Sequence, residues 1–184
     1  MSRALTFFLA LLSFSLTAAP LAHAQGVGSP APDLTLLNTD GELRCLSDLG
    51  DRPVLLNFWA TWCPPCQEEL PLFQRVVDEV GDDTLKVLLI NNNEGRERVA
   101  AYLEANGIGL ETLVDATREE RAAFSSSGAG LDDTLEVLRR YRVRGMPTSV
   151  FIGADGIIRG VWVGLVTPGK AAELLAKIGV VWQP

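Results

Sequence analysis

The unit Cys63-Pro64-Pro65-Cys66 limits the possible folds of this chain more than any other segment; it comes directly after Trp62, with three residues between it and an apolar run over residues 54–59. The run predicts a buried strand, and the residues after Cys66 predict a helix. Two thiols separated by two residues at such a strand-to-helix turn can close a disulfide and exchange two electrons reversibly. The unpaired N–H groups and the positive dipole end of a helix N-terminus favour the reactive thiolate. The sequence therefore predicts a redox motif.

The length and charge of the chain limit the number of domains and the kinds of partner that are expected. A chain of 184 residues is expected to form one domain with a proper core. The formal net charge of -7 argues against nucleic acid or an anionic membrane surface as partner. We identify no basic cluster and no glycine loop that would cradle a phosphate.

Residues 1–24 are predicted to be a signal peptide. Arg3 gives a positive start, an apolar stretch follows, and Ala22-His23-Ala24 fits the cleavage pattern. The stretch is short beside the roughly 20 residues that a bilayer span needs, so an uncleaved anchor is the alternative to cleavage. We expect an exported, periplasmic protein over residues 25–184, without histidine once His23 is removed and with Met146 as its only methionine.

The remaining elements are predicted from hydrophobic periodicity and turn residues. Two buried runs joined through helices predict parallel strands with right-handed crossovers. Pro71 is expected to kink the first helix. Residues 116–142 are interpreted as an insertion with two helical pieces. The predicted elements are a hairpin over 33–46, a strand over 54–59, a helix to about 80, a strand over 85–91, a helix over 94–106, a hairpin over 148–163 and a helix over 168–178.

The third cysteine, Cys45, lies in a short predicted strand that follows an Asp40-Gly41 turn. We interpret it as a small half-buried residue, because free cysteine behaves as a small hydrophobic side chain. A regulatory or resolving thiol is the alternative.

Two separated segments carry a resemblance. The segment 57–66, followed by Glu69 and Pro71, resembles the thioredoxin-like fold, and within it the exported TlpA/ResA-type thiol–disulfide oxidoreductases. The segment 143–149 resembles that family's loop with a cis-proline beside the disulfide. The resemblance covers roughly Gly28 to the C-terminus. It implies an α/β fold with a central mixed sheet flanked by helices, an N-terminal hairpin and a helical insertion.

The resemblance also implies catalytic roles. Cys63, as the exposed thiol, would attack a substrate disulfide, and Cys66 would then attack the Cys63 sulfur and release the reduced substrate. Glu69 matches a family carboxylate and would serve as base for Cys66, whereas a solvated glutamate like Glu68 is the alternative. Thioredoxins have a buried aspartate where this chain has Asn57.

Substrate binding is expected around the same turn. A cis bond at Pro147 would turn the Met146 backbone outward to pair with an extended substrate segment. Trp62, Pro64 and Pro65 are expected to contribute contact surface, whereas Trp59 is expected in the core. No cofactor beyond the Cys63–Cys66 disulfide and no metal is expected.

The two intervening prolines remove N–H donors from the Cys63 thiolate, so its pKa should be less depressed than in a strong oxidant. A less stabilised dithiol is the better electron donor, which predicts a reductase with a potential of roughly -200 to -270 mV. An oxidase or isomerase on the same fold is one alternative. A Cu(I)-handling chaperone using Cys63, Cys66 and Met146 is another.

The resemblance implies client proteins with disulfides, such as apocytochromes or copper-site assembly factors. A membrane-embedded thiol carrier would donate the electrons. Thr148 departs from the acidic residue common in the cytochrome-maturation branch, so the client stays open.

Overall fold

The computed structural model describes residues 26–128 and 130–184, so the predicted signal peptide over 1–24 lies outside the described residues. Over these residues the chain forms seven strands and five helices. Their bounds are β1 Thr35–Asn38, β2 Leu43–Cys45, β3 Val54–Trp59, α1 Pro64–Val80, β4 Lys86–Asn91, α2 Arg96–Ala105, β5 Glu111–Val114, α3 Arg118–Ser126, α4 Thr134–Arg140, β6 Thr148–Ile152, β7 Ile158–Val163 and α5 Pro168–Ala176.

The strands form one mixed sheet in the order β2-β1-β5-β4-β3-β6-β7. The pairs β3–β4 and β4–β5 are parallel and the other neighbouring pairs are antiparallel. The helices α1 and α2 connect the parallel strands, as crossovers must. The predicted α/β architecture, with its N-terminal hairpin and its C-terminal hairpin, is therefore confirmed.

Strand β5 was missed from the sequence. It has only four residues and begins with a charged one, Glu111, so it lacks the long apolar run that marked β3 and β4. Glu111 is tolerated there because it pairs with Arg44 Nε at 2.5 Å and Lys86 Nζ at 3.1 Å. By pairing with β1, β5 joins the N-terminal hairpin to the rest of the sheet.

The two faces of the sheet bury separate groups of side chains. Every residue of β3 is buried, as expected for a central strand covered on both sides. One face packs against α1, α2 and α5 through residues such as Phe73, Val99 and Leu174. The opposite face packs against the segment before β1 and against α4. Trp59 is fully buried, which confirms its predicted place in the core.

The segment 116–142 divides into two parts with different environments. Helix α3 has no buried residue, whereas α4 buries Thr134 and Val137. Tyr141, directly after α4, is also buried, with its ring centroid 5.4 Å from that of Phe58. Of the two helices, therefore, only α3 is a surface addition.

Two further observations concern the helices. Helix α1 continues through Pro71 to Val80 as one element. Within residues 26–128 and 130–184, none of the helices has the length and apolar character that a membrane crossing requires.

The position of α4 in the core can be tested with Val137→Ala. Val137 is fully buried, so removing two methyl groups should lower the free energy of unfolding by about 2 kcal/mol. Leu135→Ala on the same helix is the control, because Leu135 is 40 % exposed and its truncation should cost less than about 1 kcal/mol. Urea unfolding measures both values. Equal losses of unfolding free energy in the two variants would show that Val137 is packed no more tightly than the exposed Leu135.

Candidate active site

The two cysteines lie at the start of α1, as predicted. Cys63 is the N-cap residue, with extended backbone angles, and Pro64 and Pro65 take the first two helical positions. Proline suits these positions because their N–H groups would have no partner inside the helix. The two cysteines are joined by a disulfide, with their Cα atoms 5.3 Å apart.

The expectation of an exposed Cys63 is wrong for this disulfide form. Cys63 is 4 % exposed and Cys66 is fully buried. Bonding to Cys66, which lies one turn inside α1, places Cys63 in the same apolar cluster as Leu70 and Phe73. The exposed groups of the turn are instead Trp62, at 59 %, and Pro64.

Glu69 lies on α1 three residues beyond Cys66 and is only 1 % exposed. Asn57 Nδ2 donates to its Oε1 at 2.6 Å, and the Val166 N–H donates to its Oε2 at 2.9 Å. Burial raises the pKa of Glu69 to about 7, and the two hydrogen bonds offset part of that rise. The alternative of a solvated glutamate is therefore wrong, whereas Glu68 is indeed exposed.

Asn57 takes the place of the buried aspartate that thioredoxins have at this position, and it changes the surroundings of the disulfide. The side chain is fully buried on β3, and its Nδ2 also donates to Ser149 Oγ at 3.0 Å. A neutral amide there supports the Glu69 carboxylate by donating to it. The buried acid of the site is thus on α1, close in sequence to Cys66, and not on β3.

The Met146–Pro147 peptide bond is cis, which confirms that prediction. Pro147 is buried, and the half-buried Met146 packs against the apolar cluster that includes both cysteines. In the β3–β6 register Phe58 lies opposite Thr148, so the cis bond lies beside the end of β3 that leads into the cysteine turn. The loop is held by the Gly164 N–H, which donates to the Pro147 carbonyl at 2.8 Å.

A second glutamate, which was not predicted from the sequence, holds the cysteine turn. Glu94, whose side chain is 7 % exposed, accepts the Thr61 N–H at 2.7 Å and the Thr61 hydroxyl at 2.5 Å. Burial alone would raise the pKa of Glu94, but these bonds and one from Asn91 lower it overall. Gln67 Nε2 also holds Thr61, by donating to its carbonyl at 2.5 Å.

A sequence signal for Glu94 did exist. It follows three asparagines at the carboxyl end of the buried strand β4, which is the parallel neighbour of β3. Polar residues after adjacent parallel strands meet at one edge of a sheet, where sites in such sheets lie.

Comparison with known proteins agrees with this geometry. The chain belongs to the AhpC/TSA family, whose sequence profile matches residues 27–161. The thiol–disulfide oxidoreductase ResA of Geobacillus thermodenitrificans is 28% identical over 155 residues, covering 84% of this chain and 79% of that protein. The thioredoxin-like protein YneN of Bacillus subtilis is 30% identical over 151 residues, covering 80% of this chain and 78% of that protein.

A solved structure matches as well. The thiol:disulfide interchange protein of the thioredoxin family from Chlorobium tepidum aligns with a TM-score of 0.62 at 27% identity, covering 84% of this chain and 99% of that one. The fold, the Cys63–Cys66 pair and these relatives define a thioredoxin-like thiol–disulfide oxidoreductase of the ResA type. Disulfide-containing proteins are accordingly its class of client.

The raised pKa of Glu69 predicts a pH-dependent stability. Between pH 4.5 and about 7 the folded protein keeps a proton that the unfolded chain has released. The contribution of this proton to stability is therefore complete below pH 4.5 and is lost as the pH rises through 7, with a total of about 3 kcal/mol. Glu69→Gln, which does not titrate, should lack this loss.

The measurement is urea unfolding of the disulfide form between pH 4 and pH 8, roughly the window over which the shifted group titrates. Glu68→Gln is the control, because Glu68 is exposed on the same turn of α1. If Glu69→Gln and Glu68→Gln both showed the wild-type slope with pH, the buried carboxyl would not titrate as described.

Proposed function

We propose that this protein is exported and reduces disulfides in client proteins through a dithiol/disulfide cycle of Cys63 and Cys66. The observation that carries the direction of the reaction is the shortage of donors around Cys63. Pro64 and Pro65 have no N–H, and in the disulfide form the Cys63 side chain makes no capping hydrogen bond. Its thiolate would therefore find fewer donors at the helix N-terminus than it would with two ordinary residues there.

A thiolate with fewer donors is less stabilised, so its pKa is less depressed than in a strongly oxidising dithiol. Dithiols of that strongly oxidising kind hold electrons because their reduced form is stabilised. The Cys63–Cys66 pair lacks this stabilisation and gives electrons up more readily. This shortage of donors supports a reductase in preference to an oxidase.

The proposed cycle starts from the dithiol. The Cys63 thiolate attacks one sulfur of a client disulfide, forms a mixed disulfide and releases the first client thiolate. Cys66 then loses its proton and attacks the Cys63 sulfur. The Cys63–Cys66 bond forms, the second client thiolate leaves and is protonated, and the client has gained two electrons.

Glu69 is the proposed proton acceptor for Cys66. Both side chains are buried on α1, with Glu69 about one turn further along the helix. A carboxyl with a pKa of about 7 is present in both protonation states near neutral pH, which is what transfer of a proton to and fro requires. An ordinary, exposed glutamate would be ionised and a much weaker base.

Client contact is proposed at Trp62, Pro64 and Pro65 on one side of the disulfide, and at the Met146 backbone before cis-Pro147 on the other. The signal-peptide pattern over 1–24 supports export to the periplasm, with retention as a membrane anchor as the other possibility for that segment. Resemblance to the TlpA/ResA type supports a membrane-embedded thiol carrier as electron donor, and apocytochromes or copper-site assembly factors as clients.

The direction of electron flow is tested by the reduction potential. Equilibration of the purified protein with defined ratios of reduced and oxidised glutathione should give about -200 to -270 mV. The redox state of Cys63 and Cys66 is measured by thiol alkylation and mass. A value near the roughly -120 mV of a strong oxidase would contradict the reductase proposal. Tight Cu(I) binding in competition with a chelator would instead favour a function as a Cu(I)-handling chaperone.

The role of Glu69 is tested by the decay of a mixed disulfide between Cys63 and a cystine peptide. Cys66→Ala should stop the decay altogether, because no second thiol remains to attack. Glu69→Gln should slow it about 100-fold at pH 7, the usual size of a general-base effect, while Glu68→Gln should leave it unchanged. Unaltered decay in Glu69→Gln across the pH range would remove Glu69 from the mechanism.

A further inference from the structure

A cationic segment leads directly into the cis-proline loop. The chain carries a net charge of -7, yet residues 139–144 contain four arginines and no acid. The expectation that the chain has no basic cluster is therefore wrong for this segment. Cations this close together are expected to make the local electrostatic potential more positive than that of the rest of this acidic protein.

Arg139, Arg142 and Arg144 are exposed and make no ion pair within the described part of the chain, and Arg142 and Arg144 are the two nearest in sequence to the cis-proline loop. Arg140, by contrast, pairs with Asp132 at 2.7 Å. Between Arg142 and Arg144, Val143 is half-buried against the core and anchors the segment. The two guanidinium groups are thus available to something outside the fold.

Arg142 has a backbone conformation that arginine does not favour. Its φ is 54°, in the left-handed region, directly after the turn that closes α4. Glycine or asparagine is usual at such a position, because a larger side chain there destabilises the fold. The exposed side chain of Arg142 offers no ion pair to offset that loss, so the fold alone does not account for an arginine here.

This segment is continuous with the cis-proline loop. Arg144 precedes Met146 by two residues, and Val163 is 61 % exposed at the end of β7. A Val163 methyl lies 3.8 Å from where a side chain on Gly145 would begin. Arg144 and Val163 therefore border the loop where a client would lie, and Arg142 is two residues before Arg144; these three exposed residues are here called the arginine–valine surface.

We propose that the arginine–valine surface binds an acidic segment of the client protein next to its disulfide, so that clients are selected by local negative charge. This inference rests on the proposed reductase function. Because the rest of the molecule is acidic, an acidic segment finds favourable charge chiefly here, which orients it toward Cys63. A client protein is favoured over a membrane surface because the arginines border the loop that the client disulfide must reach.

The test uses the reduced full-length protein and two cystine peptides that differ only in flanking residues, aspartates in one and asparagines in the other. The second-order rate constant should be at least about 3-fold higher for the acidic peptide at low salt, and the ratio should approach one in 1 M salt. Arg142→Glu and Arg144→Glu should each lower the ratio by about 3-fold or more.

Arg118→Glu is the matched control, since Arg118 is also exposed and without an ion pair in the described residues, but lies on α3. It changes the net charge equally and should leave the ratio unchanged. An equal effect in Arg118→Glu would mean that only overall charge matters, which would overturn the proposal. Arg142→Gly should raise the urea midpoint while lowering the ratio, and an unchanged ratio in that variant would remove Arg142 from the surface.

Hydroxyethyl disulfide, a small neutral substrate, separates the two proposals. All the arginine variants should reduce it at the wild-type rate. If the wild type fails to reduce it, the reductase function itself fails. If it is reduced but the acidic peptide has no advantage, only the arginine–valine surface is refuted. Binding to phosphatidylglycerol vesicles that Arg142→Glu and Arg144→Glu abolish, with no peptide preference, would assign the surface to lipid and also overturn the proposal.

Discussion

The site depends on one buried carboxyl group, Glu69, and on the two groups that donate to it. Asn57 comes from the central strand β3 and Val166 from the loop that leads into α5, so Glu69 joins α1 to both. The desolvation of this carboxyl opposes its ionised form, and the two hydrogen bonds recover only part of that loss. These opposing contributions keep the pKa of the carboxyl close to neutral pH.

A second glutamate shows the opposite balance. Glu94 accepts from the Thr61 N–H and hydroxyl and from Asn91, and these donors lower its pKa in spite of burial. It therefore stays ionised and holds the turn before Cys63 fixed. Two carboxyl groups near one disulfide are thus separated by their environments into one that can exchange a proton and one that keeps its charge. Glu69 is the more deeply buried of the two, and Glu94 accepts more hydrogen bonds and has Arg98 nearby, so the surroundings and not the residue type make this difference.

The parts of this molecule that could be predicted from sequence are those specified locally. The apolar run of β3, the helix after Cys66 and the hairpin of β6 and β7 each carry their own periodicity or turn residues. The strand β5 does not, because its polar Glu111 is stabilised by Arg44 and Lys86 from other strands. The hydrogen bonds between Glu94 and Thr61 likewise join residues that are distant in sequence. The four arginines over 139–144 can be read directly from the sequence, but the net charge of the whole chain gives no indication of this local positive charge.

The burial of Cys63 implies that the groups that bind the client are different from the groups that carry out the chemistry. A sulfur in a residue that is 4 % exposed presents little surface of its own, so a client must be held mainly by groups around it. On one side these are Trp62 and Pro64 at the start of α1. On the other are the cis-proline loop and the adjoining arginine–valine surface. In the proposed cycle, proton and electron transfer belong to interior groups that the fold holds rigidly, whereas the choice of client belongs to exposed side chains. Surface residues could then change with the client while the buried carboxyl and the disulfide remained as they are.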